Sequence, residues 1–63
     1  MLFSRLRYGD WFYLRKPGFP YDLPLMKIYE IVDKWGNERV AVDCYGLLYN
    51  TLDIDQVDEV ELK

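Results

Sequence analysis

The chain contains no histidine, so the side chain that most often serves as a general base, and that activates a serine or cysteine nucleophile, is missing. Ser4 has no partners from which a triad could be assembled. Cysteine occurs once, at Cys44, which excludes an intramolecular disulfide and a cysteine-rich zinc site. Its place in an alternating apolar run predicts a buried, structural thiol. No apolar run approaches the roughly 18 residues of a membrane span, and no basic segment leading into an apolar one opens the chain in the manner of an export signal. A cytoplasmic protein that does not engage membranes is the corresponding expectation. Gly9, Gly18, Gly36 and Gly46 stand apart, so there is no glycine-rich phosphate cradle. Asp53, Asp55 and Asp58 lack the glycine and the bidentate glutamate that a calcium loop places at fixed offsets. No catalysis, metal or cofactor is therefore expected.

What is present is apolar and aromatic material in a short chain. At 63 residues, 51% of them hydrophobic and 17% aromatic, the sequence has room for one domain, 1–63, and a fold of this size buries only about 60% of its unfolded surface. Each buried aromatic removes roughly 150 to 250 Å² from water, which argues against disorder. The net charge is -3, unevenly spread. Arg5, Arg7, Arg15 and Lys16 stand against Asp10 near the start, while Asp53, Asp55, Asp58, Glu59 and Glu61 stand against Lys63 near the end. The simplest use of that asymmetry is to pair the terminal segments with each other; an acidic patch aimed at a basic partner is the other.

Along the chain, Gly9-Asp10 reads as a turn before a strand at residues 11–15, with Phe12 and Leu14 on one face and Trp11 and Tyr13 on the other. Residues 16–24 hold all three prolines, Pro17, Pro20 and Pro24, and read as a long loop because proline cannot donate to a sheet ladder. Phe19, Tyr21 and Leu23 would pin that loop to the body of the domain. Strands at residues 27–33 and 38–44 flank Gly36-Asn37, a pair suited to positive φ in a tight hairpin. Ile28 and Val32 share one face of the first, and Val40, Val42 and Cys44 form the apolar face of the second. A fourth strand at residues 47–52 should turn Leu48 and Leu52 inward. A 3-10 or tight turn over residues 53–57 would plug the barrel end with Ile54 and Val57, and Val60 and Leu62 close the sheet. This predicts an all-β, five-stranded SH3-like barrel, with a long proline-containing loop after strand 1 and a short 3-10 turn before the last strand.

The run Phe3, Leu6, Gly9-Asp10, Phe12, then Met26-Lys27-Ile28, Ala41-Val42, Gly46, Leu48, Val57 and Val60 resembles small uncharacterised SH3-like proteins of phages and bacteria, over nearly the whole chain. The resemblance implies the fold and a phage or bacterial origin, in the former case in the host cytoplasm, without an activity.

Function is then expected from surfaces. Interface hot spots favour Trp, Tyr and Arg, and Phe19, Tyr21, Trp35, Tyr45 and Tyr49 are the candidate lining of a loop-side groove that docks a partner protein, as an adaptor or an inhibitor of a host system would. Alternatively, Phe19 and Tyr21 fold under and seal the barrel. A second reading takes Arg5, Arg7, Trp11, Tyr13, Arg15 and Tyr29, with Tyr8 and Lys27, as a single-stranded nucleic-acid face on which bases stack; the acidic balance of the chain opposes it. A third makes the chain a subunit of a homo- or hetero-oligomer that pairs through an open edge strand.

Overall fold

Trp11-Phe12-Tyr13-Leu14 suits the two faces of a pleated strand. In the computed structural model, which describes residues 1–19, 22–31 and 34–63, it forms β1 (Trp11–Leu14). Four further strands, β2 (Pro24–Ile31), β3 (Glu38–Asp43), β4 (Leu48–Asn50) and β5 (Val60–Leu62), complete one antiparallel sheet of order β4-β3-β2-β1-β5. The fold is all-β, as the sequence indicates. Its two edges, β4 and β5, are not joined among the described residues, so the sheet does not close.

The terminal segments pair. Tyr13 lies opposite Glu61 and Leu14 opposite Val60, and Arg15 Nε meets Glu61 at 3.0 Å, Lys16 Nζ meets Asp58 at 3.0 Å, and the N-terminal amine meets Glu59 at 3.1 Å. Much of the charge asymmetry is thus satisfied within the molecule.

The 3-10 turn lies at Phe3–Arg5 and not before β5. Residues 51–59 instead make tight turns in which side chains take the amides. Asn50 Oδ1 accepts from Leu52 and Asp53, Asp53 Oδ2 accepts from Asn50, and Asp58 Oδ2 accepts from Asp55. Such local bonds compete with a helical ladder and here replace it. Ile54 is buried as expected, whereas Val57 is 68% exposed and plugs nothing.

The core gathers Phe3, Leu6, Phe12, Leu14, Leu25, Val40, Ala41, Tyr49, Ile54 and Val60, with Phe3 set edge-on to Phe12 at 5.4 Å. β2 starts at Pro24, three residues before the expected boundary; proline is tolerated as the first residue of a strand. Its inward residues are Leu25 and Lys27, Ile28 is half-buried, and Val32 lies outside the described residues. The pairing of β2 with β3 shifts between Lys27 and Glu30, and that of β3 with β4 between Arg39 and Ala41. An extra residue in a ladder moves the period-two pattern by one. Val40 and Ala41 are consequently both buried, Asp43 turns inward, Val42 is half-buried, and Cys44, expected inside, is exposed. On β4 the inward residue is Tyr49, opposite Ala41. Leu48 and Leu52, expected inside, are 39% and 89% exposed. In the connection between β2 and β3 Gly36 takes positive φ (+74°) and Asn37 does not.

Candidate functional site

The segment after β1 carries Pro17 and Gly18, and Gly18 adopts φ +88°, a conformation glycine enters without steric cost. The turn delivers Phe19 to the inner side of the sheet, where its ring meets that of Tyr49 edge-on at 6.1 Å. Across from Phe19, the chain leaving β4 swings out at the Asn50 turn and presents Leu52. Between these segments lies a groove of about 400 Å³ lined by Lys16, Pro17, Phe19, Tyr49, Leu52 and Asp53. Lys16 Nζ ties its two walls together, donating to the Asp53 carbonyl at 3.0 Å while paired with Asp58.

Tyr49 is held from behind. Its hydroxyl donates to Asp43 Oδ2 at 2.9 Å, while Asp43 Oδ1 accepts the amides of Tyr45 (2.8 Å) and Leu47 (3.0 Å). Burial alone would raise the Asp43 pKa; the Leu47 and Tyr45 amides, the Tyr49 hydroxyl and Gly46 outweigh it and hold the carboxyl below its ordinary value. The residue is a fixed anion that shapes the β3–β4 turn.

Of the five residues expected to form a loop-side face, the structure brings together Phe19 and Tyr49. Tyr49 is a buried wall and not an exposed contact, and Phe19 is half-buried against the core. Trp35 (77% exposed) and Tyr45 (82% exposed) do not line the groove and stand beyond opposite ends of β3. Tyr21 lies outside the described residues. Leu52 was missed, although Asn50 and Asp53 three residues apart carry the signal of a side-chain-capped turn that ends the strand.

The alternative basic and aromatic face is dispersed. Trp11 lies on the outer face of the sheet in one cross-strand row with Met26, Val42 and Leu48, with Lys63 Nζ 5.8 Å from its ring. Tyr13 sits beneath the Arg15 guanidinium at 5.0 Å, and Arg15 is already engaged by Asp22 and Glu61, which raise its pKa through their hydrogen bonds. Arg5 ends the N-terminal 3-10 turn and Arg7 follows it, and Tyr29 packs on Tyr8 at 6.3 Å. Lys27 is not on a surface at all: 8% exposed, it donates through Nζ to the Phe3 (3.1 Å) and Leu6 (2.9 Å) carbonyls.

Among the described residues no group of three or more His, Cys, Asp and Glu side chains is gathered as a metal would need, and no helix is long and apolar enough to cross a membrane. The chain matches no known protein family, no curated protein and no solved structure.

Proposed function

We propose that the chain is a non-catalytic, SH3-like binding module that takes an apolar side chain of a partner protein into the groove between Phe19, Tyr49 and Leu52. The observation that carries this reading is Leu52, an aliphatic side chain 89% exposed at the lip of an apolar groove whose opposite wall is braced by an ion pair. A large apolar side chain held out beside a preformed concavity gains most when something covers both. The SH3-like assignment is supported by the strand order and by the position of the loop after β1. Asp53 at the groove and Asp55 nearby favour a partner segment with basic residues flanking its apolar anchor. The resemblance to small phage and bacterial proteins makes that partner a host protein, such as a defence component, and the protein its adaptor or inhibitor.

The test is a capture experiment from host lysate with the tagged protein and two variants, Leu52→Asp and Trp35→Ala, each washed at low and high salt. A protein that survives high salt, is lost with Leu52→Asp and is retained with Trp35→Ala is the expected result. An empty bait, or the same captured set with both variants, overturns the placement of the site. Nucleic acid that is captured and then released at high salt would transfer the case to the basic and aromatic residues.

A further inference from the structure

A separate cavity of about 270 Å³ lies between the N-terminal 3-10 turn and the β2–β3 hairpin, sharing no lining residue with the groove. Lys27, more than nine-tenths buried, and Glu38, half-buried, both line it. Among the described residues neither enters an ion pair. An ammonium has three N–H donors, and Lys27 Nζ spends two of them on the Phe3 and Leu6 carbonyls. Among the described residues its charge also meets the ring faces of Phe3 at 4.6 Å and Tyr8 at 5.6 Å. Burial lowers the pKa of the amine, with Asp10 pulling the other way. This is a cation incompletely compensated by its surroundings. Tyr8 and Tyr29, their rings 6.3 Å apart and inclined by 56°, form an aromatic wall of the same cavity, and Tyr29 is 55% exposed.

A simple anion entering this space would be drawn to Lys27 and repelled by Glu38, and a simple cation would meet the reverse. A molecule that carries both charges meets each with the opposite sign. We infer that this cavity binds a small zwitterion of the α-amino acid type, its carboxylate toward Lys27 Nζ, its ammonium toward Glu38 and its side chain against Tyr8 and Tyr29. The carboxylate takes the remaining N–H of Lys27 in a charge-assisted bond, and Ser4 and Gln56 in the wall add neutral polar partners. A cavity of about 150 Å³ admits benzene, and this one is nearly twice that volume.

The test is an NMR titration of the isotope-labelled protein with L-phenylalanine, phenylpropionate and phenethylamine, the last two each lacking one of the charges, read at the Tyr8, Tyr29 and Glu38 amides. L-phenylalanine should shift these signals saturably, and each analogue should bind about tenfold more weakly. Glu38→Gln should weaken L-phenylalanine by a similar factor while leaving phenylpropionate as tight or tighter, and Tyr29→Ala should weaken all three. Both variants change residues outside the core, so Lys27 and its bonds are left intact. Shifts that do not saturate, phenylpropionate binding as tightly as L-phenylalanine, or indifference to Glu38→Gln overturn the inference.

Discussion

Asp43 and Lys27 are charges of opposite sign buried on the inner face of one sheet, on adjacent strands, and they are held in different ways. They do not pair with each other. Asp43 lies opposite Leu25 and Lys27 opposite Ala41, and each reaches for the backbone of an irregular segment: the carboxylate for the amides of the β3–β4 turn, the ammonium for the carbonyls of the N-terminal 3-10 turn. The outcomes diverge. Hydrogen bonds to Asp43 more than offset its desolvation and favour the charged form, whereas around Lys27 desolvation prevails and the charged form is disfavoured. A buried charge whose bonding capacity is filled is a structural part. One left short, beside a cavity, is available to a ligand.

Three experiments sharpen or break that contrast. The largest effect is expected from Asp43→Ala, which leaves the Tyr45 and Leu47 amides and the Tyr49 hydroxyl without their acceptor. In a domain this small the cooperative unfolding transition should be lost or shifted to the start of a urea titration; a wild-type midpoint would show that Asp43 organises nothing. Lys27→Met should cost less, because it keeps the apolar stem and relieves the desolvation of the ammonium while stranding the Leu6 carbonyl, the Phe3 carbonyl keeping its bond from the Leu6 amide. A loss of about 1 to 3 kcal/mol by urea unfolding follows, and a loss equal to that of Asp43→Ala would erase the distinction.

The smallest effect separates the two by pH. The folded-state pKa of Asp43, and of Asp58 through the Asp55 amide and Lys16, lies below the ordinary aspartate value. Their contribution is present above that value and is lost as the pH falls through the folded pKa. The folded-state pKa of Lys27 lies below 10.5, so between the two values the unfolded chain binds the extra proton and stability rises with pH. Asp43→Asn should flatten the acid limb of a stability profile and Lys27→Met its alkaline limb. If either substitution flattens the other limb, the assignment fails.

The sequence carries the strands and loses the faces. Phe12, Leu14, Ile54 and Val60 are where alternation and turn residues put them, and the opposed charges of the two terminal segments anticipate the pairing of β1 with β5. Cys44 and Leu48 go wrong together because period-two reading assumes an unbroken ladder. The register shifts around Val40 depend on how three strands fit, which no single segment encodes. The candidate groove was half legible. Phe19 could be read from an aromatic in a proline-rich loop, while Leu52 needed the Asn50 turn to be weighed above the apolar spacing. Lys27 left no trace, since a lysine between Met26 and Ile28 reads as solvent-facing until the carbonyls that receive it are in place.

The bonds from Phe3 N to the Asp58 carbonyl (2.9 Å) and from Val60 N to the Met1 carbonyl (2.8 Å) join residues separated by nearly the whole chain. The β2–β3 hairpin can form from neighbours, but β5 must find β1 after almost every other residue has been placed, and the entropy of that closure is spent before its contacts repay it. Folding of this domain is accordingly a slow search for its size, on the millisecond-to-second scale of β topologies and not the microseconds of a helical bundle. The seam between the first and last residues is the natural last step to close and the first to open.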